Sequence, residues 1–91
     1  MAREIVVDVS DLEAPQPFEV VLKQLKILGP GEYIHMLHRK QPLPLLQVLE
    51  ENGYAAVMHK GDSRPWEIFI WNTADPLSNE YCRSHFAPDS S

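Results

Sequence analysis

Cysteine is nearly absent from this chain, which has a single one, Cys82, among its 91 residues. A lone cysteine excludes a disulfide framework within the chain and makes a reducing compartment the default expectation. No apolar run approaches the roughly 20 residues that a membrane-spanning helix requires. The N-terminal residues lead directly into a short strand, without the layout of a signal peptide. The sequence therefore predicts a cytoplasmic domain with no membrane partner.

Basic residues are also scarce. Eight lysines and arginines stand against thirteen aspartates and glutamates, and the formal net charge is −5. Nucleic-acid binding needs a clustered basic face, whereas the densest basic run here is the pair Arg39-Lys40. Nucleic acid is therefore not expected as a main partner. The hydrophobic and charged fractions, 44% and 23%, are those of one small globular domain.

The chain lacks the patterns that mark most catalytic centres. It has no glycine-rich phosphate loop and no Ser-His-Asp pattern. The carboxylates Asp8, Asp11 and Glu13 show no arrangement that would make one an acid and another a base. We therefore predict no catalytic residue and favour a non-enzymatic domain; the alternative, an enzyme, would need a cofactor or metal to supply chemistry that these side chains lack.

Metal ligands are equally poorly placed. His35 and His38 lie three residues apart on a predicted strand, so they face opposite sides of the sheet. Cys82 and His85 have a helical spacing, but a metal site usually needs three or four ligands. No metal and no cofactor are therefore expected.

Hydrophobic periodicity predicts six elements in the order β-α-β-α-β-β. They are strand 4–9, a helix from residue 15 or 16 to 28, strand 32–38, a helix ending near residue 52, and strands 54–59 and 66–71. Strands joined by helices should be parallel, and the final hairpin adds one antiparallel strand. The predicted fold class is α/β, a two-layer sandwich with a four-stranded mixed sheet and two helices on one face.

Residues 1–72 form the predicted domain, and residues 73–91 form a C-terminal tail without clear periodicity. Ala87-Pro88-Asp89 and the terminal serines are typical of a loose end. Leu77, Tyr81 and Phe86 nevertheless offer apolar anchors. The tail is therefore either disordered or packed on the open face of the sheet.

The best candidate site is the edge of the sheet where parallel strands end and the helices begin. Open α/β sheets bind ligands there, and two helix N-termini add partial positive charge. The predicted site residues are Asp11, Glu13, Gln16, His38, Arg39 and Lys40. They favour a small anionic ligand or the acidic side chain of a protein partner, unless they are ordinary capping and turn residues. His38 is either a structural histidine bonded to a backbone carbonyl, or a proton donor or ligand to a bound group.

A second candidate surface is the sheet face opposite the helices. The predicted interface residues are Phe69, Trp71, His35 and Leu37. Exposed aromatic patches usually mark an interface. Three occupants remain open: a second copy of the chain in a homodimer, a partner protein, or the tail folding back.

Several short segments resemble a known superfamily. The segments are Asp8-Val9, Ala14-Pro15-Gln16-Pro17, Pro30-Gly31-Glu32, Leu37-His38-Arg39, Pro42 with Leu45, and Leu49-Glu50-Glu51-Asn52-Gly53. Together with the element order, they resemble the TusA/SirA-like proteins over roughly residues 4–72. The finer resemblance is to a branch of unknown function that is sometimes fused to hemerythrin-like or cupin modules.

The resemblance implies a sheet in which the last strand lies between the second and third. TusA-like carriers pass sulfur through a cysteine at the position that Ala14 occupies here, so a thiol relay at that place is excluded. The resulting expectation is a small binding or adaptor domain. The alternative is an accessory protein or regulator of sulfur or redox metabolism that docks on a sulfurtransferase or on a hemerythrin-like partner.

Overall fold

A computed structural model of the chain describes residues 2–13, 16–62 and 64–86. Its elements are β1 (Arg3–Asp8), α1 (Gln16–Lys26), β2 (Glu32–His38), α2 (Leu43–Glu51), β3 (Tyr54–Lys60), β4 (Trp66–Asn72) and α3 (Pro76–His85). The predicted order is confirmed through β4. Within the described residues, a third helix, α3, then follows, which the periodicity does not predict.

The four strands form one mixed sheet in the order β1-β2-β4-β3. β1 and β2 are parallel, and β4 is antiparallel to both of its neighbours. The four-stranded mixed sheet is therefore confirmed. The last strand lies between the second and third, as the resemblance implied.

The helices α1 and α2 cover one face of this sheet. Val21 and Leu25 are four residues apart on α1, and Leu45 and Leu49 have the same spacing on α2, so each helix buries one stripe. They pack with alternate residues of the central strands, Ile34, Met36, Ile68 and Ile70. The largest apolar core of the described chain therefore lies between these two helices and the sheet.

The helix α3 packs against the opposite face. Cys82 is fully buried there with Tyr33, Phe69 and Trp71, and Phe86 at the end of the helix packs against the same cluster. The sheet therefore has helices on both faces, whereas the sequence predicted helices on one. None of the described helices combines the length and apolarity needed to cross a bilayer.

Asp75 begins α3 and ties it to the rest of the fold. Its carboxylate accepts hydrogen bonds from the amides of Leu77 and Ser78, at 3.2 and 3.5 Å, as an N-cap does. It also accepts one from the amide of Gly31, at 2.7 Å, across 44 residues of sequence. The start of α3 is therefore anchored to the turn that precedes β2.

Candidate functional site

A cavity of about 330 Å³ opens where the start of α1, the end of β2 and the start of α2 meet. Its polar wall contains Glu13, His38, Arg39, Lys40 and Gln41. Its apolar wall contains Leu12, Pro17, Phe18, Met36, Pro42, Pro44 and Leu45. The size is at the lower end of the range for small-molecule sites.

Four of the six residues predicted for this edge lie in the cavity wall: Glu13, His38, Arg39 and Lys40. Asp11 and Gln16 are exposed and lie outside the described wall. Ala14 and Pro15, which carry the comparison with the sulfur carriers, lie outside the residues that the structure describes. The sheet edge thus brings most of the predicted polar residues together around one concave surface.

His38 is the buried polar group of this wall. The side chain stays on the helix-facing side of β2, and only 8% of the residue is exposed. Its Nδ1 is buried. Burial lowers the pKa of His38, the charges of Arg39 and Lys40 lower it further, and a hydrogen bond with the Val9 backbone acts in the opposite direction. The imidazole is therefore neutral at neutral pH.

Two cations and one carboxylate accompany His38. Arg39 donates a 2.7 Å hydrogen bond to Oε1 of Glu13, and this bond is the main reason why the pKa of Glu13 is lowered. Lys40 lies exposed next to this pair. Glu13 is the only acidic residue in the described wall, so the wall carries a net positive charge within an acidic protein.

The start of α2 adds hydrogen-bond donors to the same region. The helix begins at Leu43 after Pro42, and no described side chain caps it. Its first turn holds no acidic residue. The first amides of a helix have no intrahelical acceptor, and Pro44 has no N–H at all. The donors of this first turn are therefore the amides of Leu43 and Leu45.

Sequence reasoning missed the apolar wall of the cavity. Phe18 and Met36 belong to the apolar stripes of α1 and β2, and the pattern predicted only that they face the core. The signal that could have located them is their position at the ends of these elements, next to the predicted edge. Apolar side chains at the end of a packed layer have no further layer to cover them.

The second predicted surface is covered by the chain itself. Phe69 is 8% exposed and Trp71 only 2%, and the ring of Phe86 stacks on Phe69. The indole Nε1 of Trp71 donates a 2.9 Å hydrogen bond to Oδ1 of Asn79 on α3. Of the three occupants left open by the sequence, the C-terminal segment is the one that lies on these two residues.

The other two members of that predicted surface are half-buried. Nε2 of His35 lies 2.7 Å from Oε1 of Glu67, and its Nδ1 lies 3.4 Å from Oε1 of Glu4. Leu37 pairs with Glu67 in the register between β2 and β4. His35 is thus held between two carboxylates.

No cluster of three or more histidine, cysteine, aspartate or glutamate side chains suited to a metal ion occurs in the described part of the chain. Cys82 is fully buried, and burial raises its pKa to about 12. His85 is exposed, and its Nδ1 lies 2.8 Å from the carbonyl oxygen of Tyr81.

The fold and the cavity define a small α+β domain with a concave site at the edge of a mixed sheet. The chain belongs to the uncharacterized conserved protein family DUF2249, whose model matches residues 6–72. The match contains the whole cavity wall and ends with β4, before α3. Comparisons with curated proteins and with solved structures found no match.

Proposed function

We propose that this protein is a non-enzymatic binding module that takes a small anionic ligand in the cavity between α1, β2 and α2. The observation that carries the proposal is the open cavity itself, whose wall combines the nearly buried imidazole of His38 with the cations of Arg39 and Lys40. A concave surface that combines positive charge with apolar side chains is typical of a small-molecule site.

The charge of the wall supports an anion rather than a cation. Arg39 and Lys40 outnumber Glu13, and the uncapped first turn of α2 adds partial positive charge. Helix N-termini of this kind bind carboxylates and phosphates through their amides. The single cysteine, which is buried, supports the further proposal that the module works in the cytoplasm.

The test is a screen of small anions and neutral fragments by two-dimensional NMR on the ¹⁵N-labelled full chain. Ligands of the cavity should shift the amide signals of residues 38–45. The variant Pro44→Trp places an indole at the mouth of the cavity and should weaken every such ligand. Gln47→Trp is the matched control, because Gln47 is an exposed residue of the same helix and lies outside the described wall. A screen in which no compound shifts residues 38–45 contradicts the proposal.

A second proposed role is that of an accessory or regulator of sulfur or redox metabolism. The TusA/SirA-like resemblance supports it, with Ala14 at the position of the carrier cysteine. Cys82 is too deeply buried to serve instead, since only its thiolate would accept sulfur and its pKa is raised to about 12. Such a protein would dock on a sulfurtransferase or a hemerythrin-like partner without carrying sulfur itself.

Direct binding tests this second role. The purified chain would be titrated against a sulfurtransferase and a hemerythrin-like protein from the same host, using calorimetry. Binding that Pro44→Trp abolishes and Gln47→Trp preserves would support docking at the cavity edge. Persulfide on the chain after exposure to a sulfur donor would contradict the role, because no described thiol is accessible.

A further inference from the structure

The polar and apolar parts of the cavity wall come from different parts of the chain. Apart from Glu13, the polar residues belong to one continuous segment, residues 38–41, that links β2 to α2. Phe18, Met36 and Leu45 bring apolar side chains from α1, β2 and α2. The cavity thus offers hydrogen bonds and positive charge from one segment and an apolar surface from three elements.

The separation of the wall into a polar and an apolar part indicates which class of ligand fits the cavity. Inorganic phosphate or sulfate would use the donors but leave the apolar wall in contact with water. A purely apolar molecule would cover that wall but leave Arg39, Lys40 and the first-turn amides of α2 without acceptors from the ligand. A ligand that satisfies both parts needs an anionic head and an apolar body.

The volume suits a small body. A cavity of about 330 Å³ is at the lower end of the range for small-molecule sites. The two cations of the wall are offset by Glu13, which leaves about one positive charge to be balanced while His38 is neutral. One carboxylate on a single ring or a short chain matches both the volume and the charge.

We infer that the ligand of this cavity is a monocarboxylate on an apolar body of one ring or a short chain, with its carboxylate near Lys40 and the first turn of α2. This inference rests on the proposed function and specifies the ligand class of that same site. The apolar body lies against Phe18, Met36 and Leu45. His38 supplies the polar group between head and body.

Binding of a carboxylate in this cavity should be accompanied by the uptake of a proton by His38. A carboxylate near His38 favours the imidazolium form, which burial and the neighbouring cations disfavour in the empty cavity. The charged groups in the wall near His38 are Glu13, which precedes α1, and Arg39 and Lys40, which follow β2. Trp66 is the partner of His38 on β4 and carries no charge. The first turn of α2 has no acidic residue. Affinity should therefore rise as pH falls from 8 to 6.

The experiment uses four probes on the full chain: 3-phenylpropionate, its neutral amide 3-phenylpropionamide, acetate and inorganic phosphate. Calorimetry and NMR shifts of residues 38–45 measure binding at pH 6, 7 and 8. We expect 3-phenylpropionate to bind roughly tenfold more tightly than each of the other three, because it alone combines a negative charge with an apolar body. The difference in affinity between 3-phenylpropionate and its amide should be larger at pH 6 than at pH 8.

Two variants test the residues involved. Lys40→Met should weaken 3-phenylpropionate several-fold and leave the amide unchanged, whereas Lys23→Met, on the exposed side of α1, should change neither. His38→Gln should remove the pH dependence of the affinity. Thermal unfolding of each variant, measured alongside, shows that the comparison is between folded proteins.

The outcomes separate this inference from the proposed function. If the amide binds as tightly as the acid and shifts residues 38–45, the inferred carboxylate is wrong, and of the proposed function only the binding cavity remains, without its preference for anions. If phosphate or acetate binds as tightly as 3-phenylpropionate, the inference that the ligand has an apolar body is wrong. A failure of all four probes, together with a failed fragment screen, overturns the proposed function as well.

Discussion

The ring of Phe86 stacks face to face on the ring of Phe69, with centroids 3.8 Å apart and planes 5° from parallel. Phe69 lies on the central strand β4, and Phe86 is the residue that ends α3. This contact closes the C-terminal helix over the sheet face. The C-terminal helix therefore covers aromatic side chains that would otherwise form an exposed hydrophobic patch.

Removing the Phe86 ring should loosen α3. We expect Phe86→Ala to lower the free energy of unfolding by about 2 kcal/mol, because a half-buried ring and its aromatic partner are lost. Urea denaturation measures the change. Leu77→Ala serves as control, since Leu77 on the same helix is 51% exposed and its loss should change stability by less than about 0.5 kcal/mol. Equal stability of the two variants would show that the stack does not hold α3.

The N-cap of α3 should be just as sensitive. Asp75→Ala removes the carboxylate that accepts from Leu77, Ser78 and Gly31, and should lower the free energy of unfolding by about 2 kcal/mol. Glu80→Ala, at an exposed position of the same helix, is the matched control. Circular dichroism during urea titration measures both. A loss no larger than that of the control would rule out an anchoring role for Asp75.

Acid should destabilise the protein partly through Asp75. The hydrogen bond from the Gly31 amide is the main reason why the pKa of Asp75 is lowered. The unfolded chain then binds more protons in acid, so this contribution is complete above about pH 4 and disappears as pH falls through the folded pKa. Asp75→Asn, which keeps a capping side chain, should lose less stability than the wild type between pH 6 and pH 3. The same loss in both proteins would contradict this linkage.

His38 should make stability depend on pH nearer neutrality. Its pKa is lowered in the folded protein, chiefly by burial, so the unfolded chain takes up a proton at a higher pH than the native protein does. Stability should therefore fall as pH drops below about 6.5. His38→Gln should reduce the difference in free energy of unfolding between pH 7.5 and pH 5.5. A variant with an unchanged or steeper pH dependence would assign the effect to other groups.

The thiol of Cys82 should be unreactive in the native protein. Burial raises its pKa to about 12, so at pH 8 its thiolate fraction is roughly a thousandfold smaller than that of an ordinary cysteine. We expect a colorimetric thiol reagent to react fully in guanidinium and very slowly in buffer. Phe86→Ala should speed the native reaction by loosening α3. Rapid labelling of the wild type would mean that Cys82 is accessible.

The elements that the sequence predicted well are those with dense apolar stripes. Val21 and Leu25 mark the buried side of α1, and the alternation of Ile68 and Ile70 marks that of β4. The helix α3 escaped prediction because its buried positions are Ser78 and Cys82. Small and weakly polar side chains give little periodic signal, although their size is what lets the helix approach the sheet closely.

The candidate site was predicted in part. The rule that parallel strands and their helices share an edge placed Glu13, His38 and Arg39 together, and all three lie in the cavity wall. The rule could not predict that Asp11 and Gln16 lie outside that wall. It also could not predict that apolar side chains complete the wall, because this depends on how closely α1 and α2 approach each other.

The sequence by itself determined the order of the elements from β1 to β4, the faces that α1 and α2 bury, and the absence of a thiol at position 14. These follow from local pattern and residue identity, which need no partner in space. Only the tertiary structure decided that α3 covers Phe69 and Trp71, and that His38 ends nearly buried beside an open cavity. Burial and unpaired polar atoms depend on contacts between distant segments, and no local pattern encodes the distances at which those segments pack.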